Sequence, residues 1–229
     1  LNAAVNSPID AGFNYWGRTS GPRDVEHTYA LCEPWLFYSF KTPPGAQVYG
    51  YRTECGIWGE PVNTSTGNFY YQAVDLTLPG VGPAISVGRT YNHQDAESRT
   101  VLGYGWTLDA DSFVQPESDG AALVVYPGGS RKTFIPGTAG GYISPQGTLE
   151  TLATRAGGGW MLTYIDRTVN TYSASGTLQS VTDRFGNTIT YTRNSLGAVT
   201  RIEGTGGRFV VFTYTGDLLT KIADNAGRQ

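Results

Sequence analysis

The sequence predicts an all-β protein, a meander of antiparallel β-hairpins that follows an irregular N-terminal segment. The first observation is composition, because 31 Gly and 12 Pro among 229 residues are too many turn formers for a helical bundle. The second is an aromatic content of 5 Trp, 15 Tyr and 9 Phe beside only 15% charged residues, which is typical of strands. The third is a series of short runs that alternate polar and apolar residues between glycine-containing turns.

Charge and hydropathy exclude two classes of partner. The net charge is -3 and the sequence contains no basic cluster, so we expect no binding to a nucleic-acid backbone. No apolar run approaches the roughly 20 residues that a membrane-spanning helix needs. Because the sequence begins with Leu1 rather than Met, we also expect it to be a processed chain or a section of a longer one.

Two cysteines, Cys32 and Cys55, suit one disulfide. Together with few lysines and many Thr, Gly and Tyr residues, such a pair indicates an extracellular or cell-surface, secreted protein. The alternative is two unrelated buried thiols. Asn63 opens a match to a glycosylation sequon, which a sequence rich in Asn and Thr produces by chance.

Residues 1–45 differ from the rest and are expected to form an irregular cap or linker. Prolines and glycines interrupt this stretch every few residues, and KTPPG at 41–45 favours a stiff turn at a domain boundary. The hairpin meander is expected from about Asn68 to the end. Its predicted strands before the repeats lie at 113–114, 123–126, 132–135, 141–143, 160–164 and 169–172.

The C-terminal part repeats with a period of 19 to 21 residues, and four residue classes keep the same phase. Each unit is predicted to form two short strands and two turns, with one apolar face that neighbouring hairpins must cover. The repeated acidic residues are interpreted as acceptors for backbone N–H groups in their turns, the alternative being a line of carboxylates for ions or ligands. The repeated tyrosines are interpreted as a ladder along the sheet, the alternative being stacking on sugars. The repeat residues are Tyr172, Gly176, Asp183, Gly186, Tyr191, Gly197, Glu203, Gly207, Tyr214, Gly216, Asp224 and Gly227.

Several motifs carry a resemblance to a known family. The segments GEPVNTSTGNF at 59–69, RTYN at 89–92 and LGYGW at 102–106, together with the later Tyr…Gly-x-Leu…Asp…Gly units, resemble the opening module and repeats of RHS/YD-repeat proteins. The resemblance implies an opening module at 46–110 and YD-like repeats at 111–229 that continue beyond the chain end. In that family the hairpins coil into a hollow β-shell, often around a C-terminal toxin, and members include bacterial polymorphic and insecticidal toxins.

A second resemblance covers the start of the chain. DAGFNYWG at 10–17, SGP at 20–22 and PWL at 34–36 resemble the C-terminal end of a right-handed parallel β-helix domain. Such domains occur in secreted adhesins and in proteins that bind or cleave polysaccharides, so the resemblance implies that the chain begins near the last coil of one domain and enters the next.

The sequence shows no convincing catalytic or metal-binding constellation. His27 and His93 are too few for a zinc site, and no nucleophile motif accompanies them. Asp109 and Asp111 are predicted to share one strand face, where with nearby acidic residues they would either bind Ca²⁺ or, as we favour, form a solvated turn. Polysaccharide cleavage by this pair is a third hypothesis. The prediction is therefore a protein that is not an enzyme and has no cofactor, metal or catalytic residue.

These observations favour a non-catalytic structural segment of a large RHS/YD-repeat protein, acting as scaffold, shell wall or filament subunit. The alternatives are a carbohydrate-binding or adhesion module and a shell fragment that encloses a C-terminal toxin. The expected partners are the remainder of a longer chain or identical subunits, joined through open β-sheet edges, with surface glycans as a further class.

Overall fold

The computed structural model describes residues 62–63 and 67–229, and these residues are built from antiparallel strands with three short 3-10 helices. The all-β prediction is confirmed. The cap or linker at 1–45, the cysteines Cys32 and Cys55, and His27 lie outside the described residues.

The first sheet has four strands in the order β1-β2-β3-β6, and a small hairpin, β4 with β5, is inserted between its last two strands. A 3-10 helix at His93–Asp95 follows β3, and another at Asp109–Asp111 follows β6. The strands are β1 Val62–Asn63, β2 Asn68–Leu78, β3 Ile85–Asn92, β4 Arg99–Thr100, β5 Gly103–Tyr104 and β6 Trp106–Leu108.

The second sheet also has four strands, paired in the order β10-β9-β8-β7. A third 3-10 helix, Pro127–Gly129, lies in the turn between its second and third strands in chain order. The strands are β7 Phe113–Pro116, β8 Ala122–Val125, β9 Arg131–Pro136 and β10 Tyr142–Ile143.

The third sheet is an uninterrupted meander of eight strands in which each strand pairs with its neighbours in sequence. This order is the simplest solution for hairpins that each have one apolar face to cover. The strands are β11 Thr151–Thr154, β12 Trp160–Thr163, β13 Val169–Tyr172, β14 Leu178–Thr182, β15 Thr188–Arg193, β16 Val199–Gly204, β17 Arg208–Thr215 and β18 Leu218–Asp224.

One five-residue turn recurs through the second and third sheets. The first residue donates its N–H to the carbonyl of the fifth, and the fourth donates to the carbonyl of the first. The fourth residue has a positive φ, which favours glycine, and it is glycine in every case except Arg167, whose φ is 68°. The turns span 117–121, 126–130, 155–159, 164–168, 173–177, 183–187, 194–198 and 224–228.

The core lies between one face of the third sheet and the two smaller sheets. Alternation along each strand places apolar residues on this face, so a single long sheet covers both smaller ones. Opposite the first sheet, the third sheet contributes Ile189, Val199, Ile202, Val210 and Phe212. Opposite the second sheet, it contributes Leu152, Trp160, Leu162, Tyr172 and Leu178.

Candidate functional site

A groove of about 450 Å³ lies where the three sheets meet. The helix Asp109–Asp111 and the start of β7 form one side, and the turns 126–130 and 194–198 contribute to the others. Opposite charges line it together, because Asp111 and Arg193 both face it. Its volume falls in the range of small-molecule sites.

Asp109 and Asp111 do not share a strand face as predicted, because they lie in a 3-10 helix. The peptide leaves β6 at Leu108 and turns toward the third sheet, so the two-residue periodicity of a strand ends there. Burial raises the pKa of Asp109, with a further increase from Asp111. Burial also raises the pKa of Asp111, although the Arg193 guanidinium opposes this shift.

Arg193 connects this helix to the third sheet. Its Nη2 donates to the carbonyl of Ala110, its Nη1 donates to the carbonyl of Gly197 at 2.9 Å, and Nη1 lies 3.5 Å from Oδ1 of Asp111. The cation next to Asp111 is therefore a side chain of the protein itself. No cluster of three or more His, Cys, Asp or Glu residues that could hold a metal ion occurs within 62–63 and 67–229.

Arg208 makes a second connection between sheets. It lies at the start of β17, and its guanidinium donates to the carbonyls of Leu78 at 2.9 Å, Val81 at 2.7 Å and Pro83 at 3.1 Å. These carbonyls belong to the end of β2 and the loop before β3. A β-carbon on Gly80 would lie 2.6 Å from Cδ of Arg208, so a larger residue there would require the arginine side chain to shift.

Gly176 makes the third connection, between the third and second sheets. Its carbonyl accepts the N–H of Val114 at 2.8 Å, and Phe113 bridges to Thr177 in antiparallel pairing. A β-carbon on Gly176 would collide with the carbonyl of Val114, so glycine is required for this approach as well as for the turn.

The repeat carboxylates do not occupy equivalent positions. Oδ1 of Asp183 accepts the N–H groups of Phe185 and Asn187, and Asp224 accepts the corresponding N–H groups of its own turn. Glu203 instead lies within β16 and accepts from Nε of Arg201 at 2.8 Å. Its interpretation as a turn acceptor is wrong, because the β16–β17 connection begins only after Gly204.

Asn194 accepts backbone N–H groups in its turn in the same way as the repeat aspartates. Its Oδ1 accepts the N–H groups of Leu196 and Ala198, both at 3.0 Å, just as Asp183 does in its turn. The signal that could have found it is its place three residues before Gly197, the spacing that also relates Asp183 to Gly186.

The repeat glycines lie in turns of different types. Gly176, Gly186, Gly197 and Gly227 each take the fourth position of the five-residue turn. Gly207 lies in the connection between β16 and β17, and Gly216 lies in the two-residue loop between β17 and β18. The regular 19-to-21-residue spacing therefore relates turns of different geometry.

The repeat tyrosines face the core. Tyr172 is fully buried, and its hydroxyl lies 3.0 Å from Oγ of Ser112. The hydroxyl of Tyr214 donates to the carbonyl of Val199 at 2.6 Å. Burial raises the pKa of both Tyr191 and Tyr214 to about 12, so these hydroxyls stay protonated at neutral pH. Their rings pack against the cluster under the first sheet.

Buried asparagines explain part of the 59–69 motif. Nδ2 of Asn68 donates to Oδ1 of Asn92 at 2.8 Å, and Nδ2 of Asn92 donates to the carbonyl of Gly128 in the second sheet at 3.1 Å. Gly67, whose φ is 69°, donates to the carbonyl of Asn63 at 2.7 Å. Asn63 itself is 1% exposed, so its amide is inaccessible for glycan attachment in the folded chain.

Comparison with known proteins gives one family match and a set of relatives. Residues 59–134 match the family DUF6531, a domain of unknown function. These residues run from before β1 into β9 and cover the asparagine network and the Asp109–Asp111 helix.

The relatives are named tRNA nucleases. The chain is 31% identical over 161 residues to the tRNA nuclease WapA of Bacillus subtilis strain 168. It shows the same identity to the tRNA(Glu)-specific nuclease WapA of Bacillus subtilis subsp. natto and the tRNA3(Ser)-specific nuclease WapA of Bacillus spizizenii. Each match covers 68% of this chain, and the chain spans 7% of the length of each relative.

These names correct one prediction and bear on another. The prediction that the protein is not an enzyme is contradicted, because the relatives are named as nucleases. The expectation that nucleic acid is not a partner stays a prediction, although the names of the relatives specify tRNA. No helix in the described residues is long and apolar enough to cross a membrane.

Proposed function

We propose that the chain forms part of the β-hairpin wall of an RHS/YD-repeat toxin that acts as a nuclease. The observation that carries this proposal is the recurring five-residue turn, which joins consecutive strands of an eight-stranded meander. The similarity to tRNA nucleases over 161 residues supports the assignment of a nuclease activity to the whole protein. The proposed target is tRNA.

A wall needs rigid connections between its sheets, and three such connections support the proposal that this chain is part of one. Arg208 holds the β2–β3 loop, Arg193 holds the helix Asp109–Asp111, and Gly176 joins the third sheet to β7. Each contact crosses from the repeat sheet to a smaller sheet or its adjoining segment. We propose that residues 46–110 form an opening module and residues 111–229 form hairpin repeats, and that the Arg208 and Arg193 contacts join the two.

If the chain is part of a wall, we expect a further strand to pair with β18, the last strand of the third sheet. Within the described residues, β18 pairs with β17 on one side, and on the other Leu219 donates to the carbonyl of Val101 at 2.8 Å. An edge of this kind pairs readily with another strand. We propose that the added strand comes from the same longer protein or from an identical subunit, two sources that native mass measurement distinguishes.

We also propose that the protein works outside the cell that makes it, with Cys32 and Cys55 joined in a disulfide. An oxidising compartment would permit that bond. Mass measurement after alkylation, with and without a reductant, tests it. A mass that shows no free thiol until reduction supports the bond, and two alkylated cysteines without reduction exclude it.

The experiment for the wall role uses the full-length protein whose gene encodes this chain. Purified wild-type protein is incubated with total tRNA and compared with the variants Arg208→Ala and Arg155→Ala. Arg155 is the matched control, because its exposed guanidinium bonds the side chain of Gln179 at 3.3 Å. We expect enclosure to limit cleavage by the wild type and Arg208→Ala to increase it, with the control unchanged.

Two results would overturn the proposal. If the full-length protein and its protease-released fragments leave tRNA intact, the nuclease assignment is wrong. If tRNA is cleaved but both variants match the wild type, the wall does not enclose the nuclease.

A further inference from the structure

Four aromatic side chains lie next to one another on one face of the first sheet. They are Phe69 and Tyr71 on β2, Tyr91 on β3 and Trp106 on β6, and together they are called the aromatic face. Tyr71 lies directly opposite Tyr91, and Tyr91 lies directly opposite Trp106. Because neighbouring strands lie about 4.8 Å apart, this row spans roughly 10 Å.

The aromatic face contacts solvent. Phe69 is 41% exposed and Tyr71 is 52% exposed, whereas Ile85 and Val87, which lie farther along the same face of the sheet, are almost completely buried. Large rings gain more from burial than from this placement, so a contiguous exposed set indicates a binding surface.

The rings are packed against one another but are not parallel. The centroids of Tyr91 and Trp106 lie 5.5 Å apart with planes inclined by 53°. The pairs Tyr71 with Trp106 and Phe69 with Tyr91 each lie 6.2 Å apart, inclined by 83° and 67°. Successive nucleobases stack on parallel faces, which this arrangement does not provide.

A fixed ion pair borders the row. The guanidinium carbon of Arg89 lies 4.9 Å from the centroid of the Trp106 ring, and Nε of Arg89 lies 2.9 Å from Oδ2 of Asp75. The aromatic face therefore has hydrogen-bond donors and acceptors at its edge. The charge of Arg89 is balanced by Asp75, so the pair offers little attraction to a phosphate backbone.

We propose that the aromatic face binds a neutral oligosaccharide. The C–H groups of a sugar ring would pack on the exposed rings of Phe69 and Tyr71, and the sugar hydroxyls would bond to Arg89 and Asp75 at the border. A nucleic acid fits less well because the rings are inclined and the ion pair is balanced. This site is tested separately from the wall and nuclease proposals, because none of its residues makes the contacts of Arg208, Arg193 or Gly176 that join the sheets.

The test uses the full 229-residue chain and isothermal titration with four probes: cellohexaose, chitohexaose, xylohexaose and mannohexaose. Tyr71→Ala removes the ring, and Tyr71→Leu keeps an apolar side chain but removes the π face. Phe185→Ala is the matched control, because Phe185 is 75% exposed in a turn of the third sheet. Unfolding midpoints of all variants check that the fold is retained.

We expect the wild type to bind at least one probe, both Tyr71 variants to bind it about tenfold more weakly, and the control to match the wild type. Absence of binding to all four probes would overturn the proposal, as would equal affinity of Tyr71→Leu and the wild type. So would loss of self-association, or of binding to a single-stranded RNA oligonucleotide, in the Tyr71 variants without any loss of sugar binding. None of these results changes the outcome of the tRNA assay, so the two proposals fail separately.

Discussion

Arg208→Ala is expected to lower the free energy of unfolding by about 2 kcal/mol. The substitution leaves the carbonyls of Leu78, Val81 and Pro83 without their charged donor. A buried bond to a charged group contributes about 1.5–3 kcal/mol, but this site is half-buried and water can replace part of each bond. We therefore assign roughly 0.5–1 kcal/mol to each of the three bonds.

The assay is urea unfolding followed by tryptophan fluorescence, together with thermal unfolding. For a chain of this length, a loss of about 2 kcal/mol lowers the melting temperature by roughly 4–8 °C. Amide hydrogen exchange should also accelerate in the loop at 79–84, because Arg208 fastens that loop to β17. Arg208→Lys should recover less than half of the loss, since a single ammonium cannot present the guanidinium fork.

The control is Arg155→Ala, whose exposed hydrogen bond to Gln179 should contribute less than about 0.5 kcal/mol. Equal losses of stability in the Arg208 and Arg155 variants would refute the reasoning. So would an Arg208→Ala protein with unchanged exchange in the loop at 79–84.

Three further predictions concern the turns and the groove. Gly197→Ala should lower the free energy of unfolding by about 1 kcal/mol, because φ is 84° there and the added β-carbon meets no neighbour. Arg167→Gly should raise the free energy of unfolding by about 0.5 kcal/mol, because it places glycine at a positive φ. Urea midpoints that shift in the same direction for both variants would contradict this. The hydrogen bond from the Asn187 side chain lowers the pKa of Asp183 in the folded protein. The ionised Asp183 carboxylate therefore stabilises the fold at pH values above its pKa in the unfolded chain, and this stabilisation is lost as the pH falls through its pKa in the folded protein. Asp183→Asn, measured by urea unfolding, should therefore be less stable than the wild type at pH 7 and show a shallower decline below about pH 4, and an unchanged decline would count against this cause. Arg193→Met should lose about 2 kcal/mol and accelerate exchange in the helix Asp109–Asp111, and normal protection there would show that the arginine does not fasten it.

The sequence predicts strands well where a period of two and a glycine turn occur together. Val199 and Ile202, which recur as an apolar pair in the repeat, both face the core because a β-bulge lies between them, and the turns at Gly186 and Gly197 lie where the spacing places them. These features depend on neighbouring residues, so a local pattern is sufficient to find them. The same spacing placed Glu203 in a turn, which is wrong because Glu203 lies within β16 and the connection to β17 begins only after Gly204.

The candidate site was less accessible to sequence reasoning. Asp109 and Asp111 stood out as a carboxylate pair, but their helix and the cation beside them depend on Arg193, more than 80 residues away along the chain. Arg208 gave no signal at all, since a lone arginine in a repeat is ordinarily solvated. The aromatic residues at 69, 71, 91 and 106 become one surface only when β2, β3 and β6 pair in register.

The sequence by itself determined the all-β class, the hairpin repeat and the positions where left-handed turns require glycine, because each follows from the conformational preferences of a few adjacent residues. Only the tertiary structure decided which part of the first sheet is exposed, which arginines join the sheets and where the charged groove lies. These features arise from contacts between distant segments, such as Arg208 with Leu78, whose energies exist only after the sheets have packed.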